Sequence, residues 1–209
     1  MTQGPARKAV GDRVALVAGA TRSAGRALAV ELARAGFFVY ATGRSSRVGG
    51  ASEIGRCETI EETGDLMTEA GGEGSALVVD HEDPASVAAL VAGIEAEHGH
   101  LDVLVNDIFG GDRYSEWDKP LWEHDLAGGM RMLRMGVDTH LITAHHAIPL
   151  LLRAERGLLV EMTDGTAEFN ASFRVRVGFY YDLVKACVGR IVVGLTHELR
   201  GQPVTAVGV

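Results

Sequence analysis

Short apolar runs alternate with longer segments of helical periodicity along the whole chain. Six runs are continuously apolar, which is typical of strands buried on both faces of a parallel sheet. The predicted strands are 13–18 (RVALVA), 37–42 (FFVYAT), 75–80 (SALVVD), 101–106 (LDVLVN), 157–162 (GLLVEM) and 203–209 (PVTAVGV). Between them, helices are predicted over 27–36, 58–72, about 130–153 and 178 to about 200, and another begins at Pro84 behind Asp83 as its N-cap.

This alternation predicts an α/β fold, a doubly wound parallel sheet of the Rossmann type with helices on both faces. The 209 residues suit a single dinucleotide-binding domain, residues 1–209, and no internal repeat divides them. The sixth predicted strand coincides with the last residues of the chain, with no helix to cover it. We therefore expect a truncated C-terminus, without the last strand and the loop that would help to cover a substrate.

The composition excludes several classes of function. Hydrophobic residues make up 46% of the chain, so a packed core is expected, and a net charge of −8 without a basic block argues against binding to nucleic acid. No apolar stretch reaches the roughly 18 residues of a membrane span, and the N-terminus lacks the apolar centre of a signal peptide. Cys57 and Cys187 are expected to be reduced thiols in a cytoplasmic protein. The scattered histidines predict no metal site.

A glycine-rich turn follows the first strand, in the stretch VAGATRSAGRALA. Glycine at 19 and 25 lets the backbone come close to a pyrophosphate, and the N-terminus of the next helix supplies N–H groups and positive potential. The turn opens the first strand–helix–strand unit, which is the context that dinucleotide binding requires. The sequence therefore predicts a dinucleotide site at this turn.

The residues after the second strand favour NADP(H) over NAD(H). Sites for NAD place a carboxylate there to bind the ribose 2′-hydroxyl, whereas here no acid occurs before Glu53. Arg44 is the first charge after the strand, Arg47 follows it, and Arg22 lies in the glycine turn. Arginines in these two loops would pair with the 2′-phosphate of NADP(H). The plainer alternative is that they are solvated loop residues.

Several motifs, in order and across nearly the whole chain, resemble those of the short-chain dehydrogenase/reductase family. AGATRSAGRA looks like its cofactor turn, VVDHED like the acidic site after its third strand, VLVNDIFGG like its NNAG segment and YDLVK like its YxxxK active-site motif. The resemblance implies hydride transfer between a nicotinamide cofactor and a small carbonyl or alcohol. The cofactor-binding residues that the turn and the resemblance imply are Gly19, Thr21, Arg22, Ser23, Ala24, Gly25, Arg44, Asp80, His81, Asn106, Tyr181 and Lys185.

Tyr181 and Lys185 would share one face of a helix, one turn apart. The spacing alone is common in helices, and it is the resemblance that gives the pair a function. Tyr181 would donate a proton to the carbonyl oxygen during reduction, but a free phenol, with a pKa of about 10, is too weak an acid for this near neutrality. The Lys185 cation would stabilise the phenolate and, by the family pattern, hold the nicotinamide ribose.

The segment after the fifth strand departs from the family where a serine usually binds the substrate oxygen. Thr163 and Asp164 occupy the places where two serines are common, and Asp164 aligns with the catalytic one. An ionised Asp164 could not donate a hydrogen bond to a carbonyl and would repel the developing alkoxide. Either Asp164 is protonated, or Thr163 or Thr166 supplies the hydroxyl, or the substrate carries a cationic or donor group. The first two explanations are favoured, and in a plainer interpretation Asp164 only begins a turn with Gly165.

Two further positions depart from the family pattern, one in the cofactor turn and one in the catalytic set. Ser23 replaces the middle glycine of the cofactor turn. The family's catalytic asparagine should fall near Gly136, counting back from Pro149, and glycine has no side chain to hold a proton-relay water. The alternative function is therefore a catalytically impaired NADP(H)-binding sensor or regulatory module, against which the Tyr181–Lys185 pair argues.

Aromatic residues are frequent after the fourth strand, at the edge that faces the substrate in doubly wound folds. Phe109, Tyr114, Trp117 and Trp122 are expected either to form a pocket wall or to pack as ordinary core. The helices around 130–153 and 178–199 resemble those that form the family's dimer interface. A homodimer or homotetramer is expected, with no nucleic-acid or membrane partner.

Overall fold

A computed structural model describes residues 13–166, 168–169, 172 and 177–209. Its centre is one parallel sheet of six strands in the order β3-β2-β1-β4-β5-β6. The strands are β1 Arg13–Ala18, β2 Phe37–Gly43, β3 Glu73–Val78, β4 Val103–Asn106, β5 Gly157–Glu161 and β6 Val204–Gly208. This order confirms the predicted doubly wound α/β fold.

Helices connect the strands and cover both faces of the sheet. They are α1 Ser23–Arg34, α2 Ile60–Glu69, α3 Pro84–His98, α4 Leu126–Leu133, α5 Thr139–Leu151 and α6 Phe179–Glu198. A π-helical segment, Arg134–Asp138, joins α4 to α5, and short 3-10 helices lie at Asp112–Tyr114 and Leu121–Glu123. In the part of the chain that the structure describes, none of the helices combines the length and the apolar character that crossing a bilayer requires.

Alternate residues of β1 enter two different cores. Val14 and Leu16 pack with residues of α3 and α5, whereas Ala15 and Val17 pack with residues of α1 and α2. All four side chains are fully buried, and burial of a large aliphatic side chain stabilises a fold by roughly 1.5–3 kcal/mol. The strand is therefore apolar throughout because neither of its faces meets water.

The chain changes its direction of winding at β1, which lies between β2 and β4. Ala18 pairs in register with Thr42 of β2 and with Asn106 of β4, so the loops after these three strands begin at one edge of the sheet. Crossovers on opposite faces leave a crevice at such a point. The candidate site lies in this crevice.

The third strand begins and ends earlier than predicted. It runs over Glu73–Val78 rather than 75–80, because as an edge strand its register is set by pairing with Phe38 to Gly43 of β2. Asp80 therefore lies in the loop beyond the strand, where its carboxylate accepts a hydrogen bond from the backbone N–H of Glu82.

Two helices begin before their predicted starts. α1 begins at Ser23 rather than at residue 27, so part of the glycine turn forms its first turn. The helix predicted from about 130 begins at Leu126, because the Asp125 carboxylate caps it by accepting backbone hydrogen bonds. At α3, Asp83 caps the helix and Pro84 takes the first position, as predicted.

Candidate active site

A cleft opens where the loops after β1, β2, β3 and β4 meet. Eight of the predicted residues line it, namely Gly19, Thr21, Arg22, Ser23, Arg44, Asp80, His81 and Lys185. Asp107 and Phe109 line it as well. The other predicted residues of the cofactor turn and of β4 lie outside this lining: Gly25 and Asn106 are buried, and Ala24 is exposed in the first turn of α1.

The glycine turn brings the backbone of β1 close to the loop after β4. Gly19 has a φ of +90°, and a Cβ there would lie 2.3 Å from the carbonyl oxygen of Asp107. A Cβ on Gly25 would lie 2.5 Å from the carbonyl oxygen of Gly19, so neither position accepts a side chain. Ser23 adopts a φ of +50°, a left-handed conformation that costs a serine roughly 1 kcal/mol. The turn keeps a shape suited to glycine in spite of this substitution.

Arg22 is the N-cap residue of α1, and its guanidinium reaches the loop after β2. It donates to Ser45 Oγ at 3.3 Å, and the Glu58 carboxylate lies 3.7 Å from its Nε. That Nε is buried without a hydrogen-bond partner among the described residues, and burial lowers the pKa of the guanidinium. A buried donor without an acceptor is costly, and an anion would satisfy it. Together with the close glycine backbone, this donor fits a phosphate group of a dinucleotide.

The other two arginines differ in their surroundings. Nη1 of Arg44 lies 3.2 Å from the carboxylate of Glu53 and 3.3 Å from that of Glu82, inside the cleft. Arg47 pairs with Asp65 and is not among the residues that line the cleft. Arg44 thus makes two ion pairs, with carboxylates that it shares with Arg131, whereas Arg22 makes a longer ion pair with Glu58 and has a buried Nε without a hydrogen-bond partner among the described residues. Of the predicted phosphate ligands, Arg22 is therefore the better placed.

Glu53 joins the loop after β2 to α4. Its carboxylate accepts hydrogen bonds from Arg131 and, at 2.7 Å, from the Tyr114 hydroxyl, while Arg131 also pairs with Glu82. The hydrogen bond from Arg131 is the main cause that lowers the pKa of Glu53 to about 2. This ion cluster holds the loop against one side of the cleft.

His81 is 3% exposed, and both of its ring nitrogens have partners. The Thr143 hydroxyl donates to the carbonyl oxygen of Thr139, so Nδ1 of His81, 2.7 Å from Thr143 Oγ1, must carry the hydrogen. Nε2 then accepts from the Thr42 hydroxyl at 2.8 Å. His81 is thus a neutral link between β2 and α5, and its polar atoms are already used within the protein.

The burial of His81 predicts a pH dependence of stability. Burial lowers the pKa of His81 to about 4, against about 6.5 in an unfolded chain. The unfolded chain binds the extra proton between these values, so stability is full above about pH 6.5 and falls as the pH approaches 4. We expect the free energy of unfolding to drop by about 3 kcal/mol over this range. Urea unfolding of the wild type and of His81→Gln should differ in slope against pH by this one proton, and equal slopes would contradict the assignment.

A buried polar cluster lies behind Asn106, at the ends of β4 and β5. Asn106 donates to Glu161 Oε1 at 2.9 Å, and Glu161 also pairs with His140. Nε2 of His140 lies 2.9 Å from the carbonyl oxygen of Ile108 and therefore carries a hydrogen. In this geometry Asn106 ties two strands to α5, and it does not reach the cleft.

Tyr181, Lys185 and Asp164 meet near the start of α6. The Tyr181 hydroxyl donates to Asp164 Oδ2 at 2.8 Å. Lys185 is 9% exposed, and its Nζ lies 4.9 Å from the centre of the Phe109 ring and 5.7 Å from that of the Tyr181 ring. Aromatic faces stabilise a buried ammonium. A phenol, a cation and a carboxylate are thus brought together beside the cleft.

The two threonines near Asp164 use their hydroxyls on the backbone. Thr163 Oγ1 lies 2.9 Å from the carbonyl oxygen of Gly165 and 3.1 Å from a backbone oxygen of Val209, and its one hydrogen is shared between these two acceptors. Thr166 Oγ1 accepts from the backbone N–H of Phe169 at 3.1 Å. Of the three candidates for the serine's place, Asp164 is the one whose contact with Tyr181 the structure describes.

Asp107 is a cleft residue that the sequence prediction missed. Burial raises the pKa of its carboxyl, while a hydrogen bond from the backbone of Gly25 and the nearby charges of Lys185 and His140 oppose this rise. The signal in the sequence is an acid directly after Asn106, where the family's NNAG segment has a second asparagine.

The sequence model of the short chain dehydrogenase family matches residues 13–209 of this chain. These residues include the whole sheet and the cleft. The chain belongs to the short-chain dehydrogenase family. The predicted family is thereby confirmed.

Curated oxidoreductases match most of the chain. Dehydrogenase/reductase SDR family member 1 of Mus musculus is 28% identical over 200 residues, which are 94% of this chain and 59% of the relative. An uncharacterized NAD-dependent oxidoreductase of Mycobacterium tuberculosis is 30% identical over 169 residues, which are 77% of this chain and 60% of the relative. The chain thus spans less than two thirds of the length of these relatives.

Solved short-chain dehydrogenases share the fold. A putative short-chain dehydrogenase/reductase from Burkholderia xenovorans has a TM-score of 0.78 at 23% identity, covering 95% of this chain and 73% of that chain. A metagenomic short-chain oxidoreductase in complex with NADP has a TM-score of 0.76 at 22% identity. The match covers 95% of this chain and 81% of that chain. At these identities the likeness concerns the fold alone.

This short-chain dehydrogenase has a closed packing contact where the family's asparagine is expected. Gly136 lies in the π-helical segment, and a Cβ there would lie 2.5 Å from Cγ1 of Val184. Val184 is 1% exposed and belongs to α6, between Tyr181 and Lys185. An asparagine at 136 would therefore require Val184 to move.

The aromatic residues after β4 fall into two groups. Phe109 packs edge-on against Tyr181 with 5.5 Å between ring centres, and Trp117 lies 6.4 Å from the same ring. Trp122 is 82% exposed, and Tyr114 belongs to the cluster around Glu53. Phe109 and Trp117 therefore form an aromatic wall beside Tyr181.

Proposed function

We propose that this protein is an oxidoreductase that transfers a hydride between NADP(H) and a small carbonyl or alcohol substrate. Tyr181 donates the proton in reduction and accepts it in oxidation. The bound cofactor supplies the hydride chemistry, and the chain supplies position and charge. The observation that carries the proposal is the 2.8 Å hydrogen bond of the Tyr181 hydroxyl to Asp164, close to Lys185, which lines the cleft.

Lys185 suits the part of a tuning cation because it is buried close to Tyr181. A cation near a phenol favours the phenolate, and the effect is stronger where water is excluded. The Phe109 ring, 4.9 Å from Nζ, holds the ammonium in this position. Lys185 also lines the cleft, where it would hold the ribose hydroxyls of the cofactor.

Asp164 takes the serine's place in this proposal, in its ionised form. It is exposed and accepts the Tyr181 hydrogen bond, as a carboxylate does. A substrate oxygen that enters would take over the Tyr181 hydrogen bond and leave the carboxylate beside it. A carboxylate there favours a substrate with an ammonium or another donor group near its carbonyl. We therefore propose amine-bearing carbonyls and alcohols as the preferred class.

The choice of NADP(H) rests on Arg22. The relatives do not decide it, because the mycobacterial relative is described as NAD-dependent and the metagenomic structure contains NADP. The buried Nε of Arg22 has no hydrogen-bond partner among the described residues, and Ser45 lies within reach of the same guanidinium. A 2′-phosphate would satisfy this donor, whereas the 2′-hydroxyl of NAD(H) carries no charge to match it.

Arg22→Ala tests the cofactor assignment. A hydrogen bond to a charged group contributes about 1.5–3 kcal/mol, so the Kd of NADPH should rise about 10–100-fold while that of NADH changes little. Fluorescence titration of the wild type and the variant with both cofactors measures this. Arg47→Ala is the matched control, because Arg47 pairs with Asp65 outside the cleft. Equal weakening of NADH and NADPH would overturn the assignment.

The alternative function is an NADP(H)-binding sensor or regulatory module without turnover. The observation that favours it is the contact of Val184 with Gly136, which closes the place of the family's asparagine. A carbonyl panel that stays silent while NADPH binds would support this function over the oxidoreductase.

We also propose a homodimer or homotetramer in the cytoplasm. Leu141 on α5 and Val193 on α6 are 50% and 54% exposed, and an apolar groove runs between the two helices. Exposed apolar helix faces of this kind suit a contact between subunits. The free thiols of Cys57 and Cys187 suit a reducing compartment.

A further inference from the structure

The N-terminus of α1 is stabilised by a residue from a distant part of the chain. Arg22 stands at the N-cap, where its side chain makes no capping hydrogen bond. The backbone of Gly25, in the first turn, makes a hydrogen bond with the carboxyl of Asp107, which follows β4. A Cβ on Gly25 would lie 2.9 Å from Asp107 Oδ2, which confirms how closely the carboxylate approaches this turn. Asp107 thus does for α1 what an N-cap aspartate does in other helices.

The same helix end faces the cleft in which the cofactor is proposed to bind. Asp107 lines this cleft together with Gly19 and Ser23 of the turn. The N-terminus of a helix after a glycine-rich turn is where the pyrophosphate of a dinucleotide binds. A carboxylate and a pyrophosphate would therefore share one helix end, and two like charges at close range disfavour each other.

We propose that Asp107 couples cofactor binding to the uptake of a proton, so that the protein binds its dinucleotide with Asp107 protonated. The inference rests on the proposed function in so far as that function includes a dinucleotide in this cleft. A protonated carboxyl removes the repulsion, keeps a carbonyl oxygen for the backbone of Gly25, and gains a hydroxyl that can donate to the ligand.

The groups that face Asp107 come from three helices. The backbone of Gly25 on α1, the ammonium of Lys185 on α6 and His140 on α5 all favour the ionised carboxylate, and burial opposes them. Because burial prevails, the pKa of Asp107 in the free protein lies above its ordinary value of 3.8. The pyrophosphate then raises the pKa further. Affinity should be highest below the pKa of the free protein and should fall up to about tenfold per pH unit until the pKa of the complex is reached.

Calorimetric titration with NADH and NADPH, from about pH 5 to about pH 8, tests the inference. Each titration is run in two buffers of different ionisation enthalpy, which gives the number of protons taken up. The 2′-phosphate of NADPH itself titrates near pH 6, by analogy with other phosphate monoesters. NADH lacks this group, so its proton count reports on the protein directly, and for NADPH the count is taken as the difference between the wild type and Asp107→Asn.

We expect the wild type to take up close to one proton in part of this range and Asp107→Asn to take up none. The asparagine keeps an acceptor for Gly25, and its affinity should exceed that of the wild type at the upper end of the range. Asp112→Asn, which removes another acid of the cleft lining, should keep the wild-type count. If Asp107→Asn does not fold, the NADH count of the wild type still decides. Cofactor binding without proton uptake, or equal proton uptake by Asp107→Asn, overturns this inference alone. If neither cofactor binds to the wild type, the proposed function is overturned as well.

Discussion

Tyr181→Phe is expected to lower the turnover of carbonyl reduction by about 10²–10⁴-fold while NADPH still binds. Phenylalanine keeps the ring that packs edge-on against Phe109 at 5.5 Å, but it removes the hydroxyl that contacts Asp164. The substrate oxygen then loses its proton donor, whereas the phosphate turn and Arg22 are untouched. Steady-state kcat and KM with a panel of ketones and aldehydes, together with the Kd of NADPH, measure the two effects separately.

Tyr180→Phe is the matched control for this variant. Tyr180 is the next residue along α6, but its ring packs against Gly129 of α4 and is 7% exposed. The loss of the Tyr180 hydroxyl should leave turnover within about twofold of the wild-type value. Unchanged turnover in Tyr181→Phe would remove Tyr181 from the reaction. A wild-type protein that binds NADPH but reduces no member of the panel would instead support the sensor.

Much of the fold could be predicted because the information is local. β1 is apolar at every position since Val14 and Leu16 enter one core and Ala15 and Val17 the other. Apolar strands that alternate with helices leave few topologies once crossovers are right-handed. The Tyr181–Lys185 pair is local in the same sense. Two residues four positions apart on one helix lie on the same face, whatever the rest of the chain does.

The parts of the site that the sequence does not predict depend on contacts between distant segments of the chain. Asp107 matters because the turn after β4 reaches α1, and no pattern within either segment records this approach. Gly136 has no room for a side chain because Val184 of α6 closes against it. His81, predicted to bind the cofactor, has its ring nitrogens hydrogen-bonded to Thr42 and Thr143, which lie far from it in the sequence. At such positions, what a residue does depends on the distant segments that pack against it.

The arginines show that the sequence also fails to predict which charges are paired with one another. From the sequence, Arg22 and Arg44 are equivalent candidates for the 2′-phosphate. In the structure Arg44 pairs with Glu53 and Glu82, whereas the buried Nε of Arg22 lies 3.7 Å from Glu58 and has no hydrogen-bond partner among the described residues. In the sequence Glu53 is only the first acid after β2, yet in the structure it is the centre of the cluster that makes this difference. Spacing along the chain predicts which charges are near a site, but not which of them are already paired.

Asp164→Ser is expected to raise kcat/KM for a neutral ketone by at least about a hundredfold. A carboxylate about 4 Å from a developing alkoxide opposes it by up to about 4 kcal/mol at the effective dielectric constant of a protein surface. A serine hydroxyl at the same place can donate a hydrogen bond instead, and one such donor contributes about 2.7–4 kcal/mol to a transition state of this kind. The substitution thus removes a repulsion and adds a donor.

The prediction reverses for a ketone that carries an ammonium group near the carbonyl. For this substrate Asp164→Ser removes an ion pair, so kcat/KM should fall, mainly through a rise in KM. Measuring each variant with a neutral ketone and its amine-bearing analogue separates the charge of Asp164 from its position. Asp164→Asn serves as the isosteric control, because it keeps the size and an acceptor for Tyr181 but not the charge. If Asp164→Ser and Asp164→Asn both lower the reduction of the neutral ketone, Asp164 acts as a protonated donor, and the proposed preference for amine-bearing substrates is wrong.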